Sequence, residues 1–337
     1  LGDVMKKLKN IFVLGGAGFL GYHTIKEATN RGYSVKTVDI VELPENLQFK
    51  KKDNVEFIIQ NFFDLSDEKI IDLISGCDGF VYAGGVDERI VPQKPAYKFF
   101  YEKNVLPTQR IARLAREAGV KNFVLLGSHT VEFAENNMDL RKHYYHEEPY
   151  VETRLIQEKL AMYEGDGAMN VSVLRLPYIF GTMEGKVPLW SMYVDMLRGQ
   201  EFMPVTTGGA ATISASQVGQ AAISALENGK HRLAYPVATG YISYEDFYKK
   251  ILEELGQEDS TELQVMSFDE LEEAYREDEK LTDQQGVEHG IRQVNMLRAN
   301  SMEFRLPTEL AYDELRVREE DTDKIIKETL NWSNTQK

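Results

Sequence analysis

Apolar and polar positions follow two rhythms through the first half of the chain. Short apolar runs stopped by glycine or polar residues read as strands at Ile11–Leu14, Tyr33–Asp39, Val55–Gln60, Gly79–Ala83, Phe123–Leu126 and Val171–Leu176. Between them the spacing is helical, over about Phe19–Asn30 (broken by Arg31-Gly32), Glu68–Ile74 and Asn104–Ala118, the last closed by Gly119 as a C-cap residue. Buried strands that alternate with helices require crossover connections, which implies a parallel sheet covered on both faces.

After Gly181 the pattern changes. Thr182–Ala211 mixes glycine, proline and aromatic residues, with one helical piece around Leu189–Leu197. A helix near Gln217–Leu226 and a strand near Leu233–Val237 read as a return to the sheet. From about Ser243 the chain is helical and strongly acidic, and the run Asp269–Asp283 reads as a solvated helix face. The expected fold is α/β, a Rossmann doubly wound parallel sheet with a smaller, mostly helical C-terminal substrate domain. Residues 5–181 with about 213–242 form the sheet domain, and 182–212 with 243–337 form its interleaved partner.

Leu14-Gly15-Gly16-Ala17-Gly18-Phe19-Leu20-Gly21 leaves a strand and opens a helix. Its glycines fit G-x-x-G-x-x-G through Gly15, Gly18 and Gly21, and G-x-G-x-x-G through Gly16, Gly18 and Gly21. Such a turn lets a pyrophosphate reach backbone N–H groups at the helix start. Eighteen positions beyond Gly21, Asp39 ends the next strand, where a carboxylate accepts from the adenosine ribose hydroxyls and repels a 2′-phosphate. Ile40 and Val41 follow without a basic residue. The residues therefore favour NAD over NADP.

With those residues, the chain resembles the extended branch of the short-chain dehydrogenase/reductase superfamily, the NAD-dependent epimerase/dehydratase type, across most of residues 8–240. Phe63-Asp64-Leu65-Ser66-Asp67 resembles its G-D-L-x-D segment, Ala83-Gly84-Gly85 a small-residue turn beside the cofactor, and Asn104-Val105-Leu106-Pro107-Thr108 its N-V-x-G-T. Strand Asn122–Leu126 followed by Gly127 and Ser128 resembles the strand that ends in the catalytic serine. Leu174–Gly181, which contains Pro177, resembles the segment beside the nicotinamide. The resemblance implies hydride transfer, with Gly15, Gly18, Phe19, Leu20, Gly21, Asp39, Asp64, Leu65, Ala83, Gly84, Gly85, Asn104, Tyr150, Arg154 and Pro177 holding NAD. It implies catalysis by Ser128, with Thr130 in reserve, and by a tyrosine whose phenol is assisted by a lysine four residues on.

Here that pair is Tyr150 and Arg154, with arginine where lysine is usual; a guanidinium keeps the charge but bonds through a planar fork. Tyr22 and Lys26 repeat the spacing on the helix after the glycine turn, where it is incidental. Nucleotide-sugar members of the family carry an arginine at the position that falls on Ala210, so an anionic diphosphate loses a bidentate partner. Lys186 and Arg198 remain in the lid region. The expected activity is that of an oxidoreductase, epimerase or dehydratase acting on a sugar-like or other small metabolite. The alternatives are a carbonyl reductase with an apolar substrate and a non-catalytic NAD(H)-binding regulator.

Composition narrows the partners. The 337 residues are 42% hydrophobic and 28% charged, as in a water-soluble globular protein, and no apolar run is long enough for a bilayer. Met5-Lys6-Lys7 has the form of a natural start preceded by Leu1–Val4, and nothing there resembles a secretion signal. The single cysteine, Cys77, suits a reducing cytoplasm and reads as a small buried residue. A net charge of −15 disfavours nucleic acid and anionic membranes, and the clusters Lys6–Lys9 and Lys50–Lys52 read as solvated surface. His143 and His146 lack the neighbours of a metal set. A homodimer is expected, built from the helices that begin near Asn104 and Tyr150. Ala112, Ala115 and Ala118 either allow close helix approach or face the sheet.

Overall fold

A computed structural model describes residues 8–49 and 54–335. Met5, Lys6, Lys7 and the Lys50–Lys52 cluster lie outside the described residues. The chain runs β1 (Asn10–Leu14), α1 (Phe19–Asn30), β2 (Ser34–Asp39), β3 (Val55–Ile59), α2 (Asp67–Ile74), β4 (Gly79–Tyr82), α3 (Ala96–Phe100), α4 (Leu106–Glu117), β5 (Asn122–Ser128), α5 (His129–Asn136), α6 (Met138–Lys142), α7 (Pro149–Gly165) and β6 (Asn170–Leu176). There follow β7 (Tyr178–Phe180), α8 (Ser191–Leu197), β8 (Phe202–Thr206), β9 (Gly209–Ser214), α9 (Ala215–Asn228), β10 (Leu233–Pro236), β11 (Gly240–Ser243), α10 (Tyr244–Leu255), β12 (Glu262–Met266), α11 (Phe268–Gln284), α12 (Gln293–Asn300), β13 (Glu303–Phe304) and α13 (Thr322–Thr335).

Seven strands form one parallel sheet in the order β10-β6-β5-β4-β1-β2-β3. Side-chain alternation explains why both faces are covered. Ile11, Val13, Val81, Val124, Leu126, Leu174 and Leu176 pack to one side with Ile25 of α1 and Val218 and Ala222 of α9. Phe12, Leu14, Phe80, Tyr82, Phe123, Leu125 and Val173 pack to the other with Ile70 of α2, Ile111 of α4 and Ala161 of α7. On that second face Phe12 and Phe80 stack at 5.1 Å, and Phe80 and Phe123 at 4.9 Å. Each ring buried there contributes about 1.5–3 kcal/mol, which ties together the three strands where the winding reverses. That reversal, between β1 and β4, opens a crevice at their C-terminal ends.

The strands and helices read from the first half fall within a few residues of those observed. The second part is less purely helical than the sequence pattern predicts. β7, β9, β11 and β13 make a four-stranded sheet, and β8 pairs with β12. These strands are short, β12 is largely exposed, and all six residues of β9 are buried, so the alternation that marks a half-buried strand is absent. Ala112 and Ala115 face the sheet core, in one cluster with Ala161 of α7, and are not on the outer face of α4.

Candidate active site

The glycine turn is shaped by what its residues lack. Gly15 has φ +90°, and its backbone passes close enough to β4 that a Cβ would stand 3.1 Å from the Ala83 carbonyl. A Cβ on Gly21 would meet the Gly15 carbonyl oxygen at 2.0 Å, and one on Gly16 would meet the Thr37 hydroxyl at 2.1 Å. The Gly18 N–H donates to the Gly15 carbonyl and the Tyr22 N–H to the Gly18 carbonyl. Among the described residues no carbonyl or capping side chain takes the N–H groups of Phe19 and Leu20, which remain as donors at the positive end of α1.

Asp39 ends β2 and binds this turn directly. One carboxylate oxygen accepts from the Ala17 N–H (2.8 Å) and the other from the Ile40 N–H (2.7 Å). Asp64 is exposed and accepts from Asn61, while Leu65 beside it is buried. Ala83-Gly84-Gly85 leaves β4 at the crevice, and Gly85 has φ +130°. Asn104 is fully buried and holds this loop from behind, accepting from the Val86 N–H (2.9 Å) and donating to the Val86 carbonyl (3.0 Å). Pro177 is buried between β6 and β7.

Ser128, Tyr150 and Arg154 converge at the C-terminal end of β5. Ser128 is 7% exposed and its hydroxyl lies 3.0 Å from that of Thr130, the reserve candidate. Tyr150 and Arg154 sit one turn apart on α7 and are 3% and 7% exposed. Burial pushes the Tyr150 phenol well above its ordinary range, against the lowering effects of the Arg154 charge and the neighbouring Ser128 hydroxyl. The Arg154 guanidinium lies 5.7 Å from the Tyr150 ring centre, and its Nη2 donates to the Leu126 carbonyl (3.1 Å). Its Nη1 lies beside Gly85, where a Cβ would stand 3.5 Å away. Among the described residues Arg154 forms no salt bridge, although its charge acts on Glu158 and Glu88, and its Nε is buried without an acceptor. A buried donor left without an acceptor is costly, and the guanidinium reaches the crevice beside Gly85 through Nη1.

Sequence reading missed the supports. Glu148, immediately before α7, is fully buried and takes the Arg292 N–H (3.0 Å), the Arg292 Nε (2.9 Å) and the Asn295 amide. The Tyr150 N–H donates to the Gly290 carbonyl (2.8 Å). Residues near the chain's end therefore seat the helix that carries the phenol. Arg175 of β6 pairs with Glu132, Glu135 and Glu158, the last on α7 one turn beyond Arg154. Glu88, in the loop after β4, has no partner from another residue among the described residues. Burial raises its carboxyl, and its charge acts on Tyr145, Tyr150, Tyr178 and Tyr193. Its place three residues beyond Gly85 was the one available signal.

Other expectations can be placed. Tyr22 and Lys26 lie together on α1, with the Lys26 ammonium 5.6 Å from the Tyr22 ring centre. Cys77 is buried and its thiol is pushed up to about 11, as suits an inert packing residue. His143 is exposed, and no group of metal-binding side chains occurs among the described residues. No helix there is long and apolar enough to cross a membrane.

The turn, the free amides, Asp39 and the unsatisfied Arg154 donor fit a dinucleotide lying across the β1–β4 crevice. The sequence model of the NAD dependent epimerase/dehydratase family matches residues 11–232. A mouse (Mus musculus) sterol-4-alpha-carboxylate 3-dehydrogenase, decarboxylating, is 27% identical over 186 residues, covering 52% of this chain and 48% of that protein. The chain spans about half the length of the curated sterol dehydrogenases it matches. In fold it is similar to UDP-glucose 4-epimerase from Thermotoga maritima, solved with UDP-glucose (TM-score 0.68, 16% identity, 96% and 98% of the two chains). It is also similar to the Bordetella bronchiseptica enzyme WbmH in complex with NAD+ (TM-score 0.66, 13% identity, 97% and 99%). The crevice and its glycine turn are thus those of a known lineage, and the chain belongs to the NAD-dependent epimerase/dehydratase family.

Proposed function

We propose that the protein is an NAD-dependent enzyme that moves a hydride to or from a hydroxyl-bearing or carbonyl carbon of a sugar-like or other small metabolite, as an oxidoreductase, epimerase or dehydratase. The observation that carries this reading is the buried cluster of Ser128, Tyr150 and an ion-pair-free Arg154 at the end of β5. Bound NAD supplies the hydride acceptor or donor. The N–H groups of Phe19 and Leu20 hold its pyrophosphate, Asp39 its adenosine ribose, and Arg154, beside Gly85, its nicotinamide ribose.

The protein's own chemistry is proton handling. Ser128 donates a hydrogen bond to the substrate oxygen, and Tyr150 exchanges a proton with it. Burial keeps the phenol protonated, which suits the direction in which it gives a proton to a carbonyl oxygen. In the reverse direction the Arg154 charge stabilises the phenolate that forms. The buried contacts of Glu148 and Glu158 fix α7, so the phenol does not need to be ordered at the moment of reaction.

The domain division at 5–181 with 213–242, a homodimer through the outer faces of α4 and α7, and a cytoplasmic location are parts of the same proposal. Tyr150→Phe tests it, with NADH absorbance followed against a panel of hydroxyl and carbonyl compounds. Turnover of the substrate so found should fall about 10²- to 10⁴-fold, while the NAD dissociation constant stays within twofold. Unchanged turnover would remove Tyr150 from the mechanism. An NAD-binding regulator predicts saturable NAD binding and no turnover across the panel.

A further inference from the structure

Beyond the catalytic cluster lies a cavity of about 260 Å³, just under the usual size range of ligand pockets. Its walls include Tyr178, Tyr193, Tyr244, Tyr248, Tyr275 and Phe247. Tyr178 follows Pro177, and its ring meets that of His129 edge-on at 6.1 Å, so the pocket continues from the end of β5, where Ser128 precedes His129. We infer that this pocket holds an uncharged, oxygen-bearing ring of the substrate and has no place for a phosphate or diphosphate. The inference rests on the reading of the site given above and names the substrate class that reading leaves open.

A diphosphate needs arginine forks, lysines or open helix N-termini. The cavity lining contains no lysine, arginine or histidine. None of the cations around it belongs to the lining: Arg89 pairs with Asp87, Arg198 donates to Asn334, and Arg298 lies over the Phe268 ring at 4.1 Å with its Nε buried and unpartnered. Ala210 sits in an apolar cluster with Val205 and Tyr244, both of which line the pocket. Three helices contribute tyrosines: α8 with Tyr193, α10 with Tyr244 and Tyr248, and α11 with Tyr275. The first turn of α8 has no capping side chain, but the Pro188 and Trp190 carbonyls take the N–H groups of Ser191, Tyr193 and Val194. α10 is capped by Ser243 and starts with Glu245 and Asp246, and α11 carries a capping box and starts with Asp269 and Glu270. The pocket therefore offers an anion no cationic or open-helix partner.

The polar groups that remain read neutral oxygen. The Tyr244 hydroxyl donates to the Asn300 side-chain oxygen (3.0 Å), and the Tyr178 hydroxyl lies 3.1 Å from that of Tyr244. With Tyr244 committed as donor, Tyr178 donates to it, and the Asn300 side-chain NH₂ is left to donate to a ligand oxygen. Rings on several sides favour offset or edge-on packing of a second ring.

The test uses the NADH-loaded protein and two probes, 2-tetralone and UDP-glucose, titrated by calorimetry, with NADH binding measured in the same preparation. 2-Tetralone should bind at least tenfold tighter than UDP-glucose, and Tyr275→Ala should weaken it at least fivefold without changing NADH affinity. UDP-glucose as the tighter ligand, or a 2-tetralone affinity indifferent to Tyr275→Ala, overturns the assignment of the pocket while leaving the hydride-transfer reading intact. Absence of NADH binding overturns both.

Discussion

At the β1–α1 turn a ligand meets amides and the space left by missing Cβ atoms, whereas across the same crevice it meets phenol rings from β7, α8, α10 and α11. The first surface is made of backbone. Its donors are aimed by hydrogen bonds such as Gly18 to Gly15 and Ala17 to Asp39, and substitution can destroy it but hardly retune it. The second surface is made of side chains on elements outside the seven-stranded sheet, so each wall can change without disturbing the sheet. The contrast explains in physical terms how one fold keeps one cofactor while its substrates differ.

The largest effect expected on the backbone side is that of Gly21→Ala. The added methyl would stand 2.0 Å from the Gly15 carbonyl oxygen, a backbone atom that cannot swing aside. The dissociation constant for NAD, measured by calorimetry, should rise by about two orders of magnitude, or about 2.7 kcal/mol. A rise under threefold would break the claim that turn shape holds the cofactor.

Arg154→Lys probes the seam between the two surfaces. Lysine keeps the charge but cannot donate to the Leu126 carbonyl while also offering a second, fixed N–H beside Gly85. We expect kcat to fall about tenfold with KM little changed, read on whichever substrate shows turnover. Activity equal to or above that of the parent would mean that arginine merely stands in for the usual lysine.

Asp39→Ala should have a milder and more selective effect. The carboxylate, already bound to the turn, sets a negative charge where a 2′-phosphate would lie. The protein should prefer NAD to NADP by at least about tenfold, a gap of about 1.4 kcal/mol. The substitution should narrow that gap chiefly by improving NADP affinity. Equal affinities in the parent protein would remove Asp39 as the determinant.

The same division governs what could be read from the chain. Gly15, Gly18 and Gly21 were legible because a backbone requirement is written directly into residue type, Asp39 through its spacing from them, and β1, β4, β5 and β6 because strands buried on both faces are continuous apolar runs. Tyr150 and Arg154 were legible through their spacing on one helix. Glu148 was not, since its partners Arg292 and Asn295 lie 144 and 147 residues away and become neighbours only when the chain folds. Nor was the pocket, whose tyrosines come from four elements, two of them in a stretch that shows only acidic helix pattern. Glu88 sat beside a recognised motif, but a carboxylate in a loop carries no signal of what it faces.

Acid stability separates the two surfaces once more. His23, on the glycine-turn helix, and His129, beside Ser128, are both lowered to about 4. Burial is the main cause for each, with Lys26 adding to it at His23 and the carbonyls of Thr182 and Leu176 opposing it. A histidine whose folded pKa is depressed binds its proton more tightly in the unfolded chain, where it titrates near 6.5. Its contribution to stability is therefore complete above pH 6.5 and is lost as pH falls toward 4. Each adds up to about 1.4 kcal/mol per pH unit to the slope in that window. Urea unfolding between pH 6.5 and 5, before most carboxylates titrate, should show a midpoint that falls with pH. His23→Gln and His129→Gln should each remove about half of the fall. His129→Gln should also alter turnover, because that ring lies against Tyr178, whereas His23→Gln should leave turnover unchanged. Equal acid slopes in the parent and both variants would mean that neither imidazole is held neutral by its surroundings.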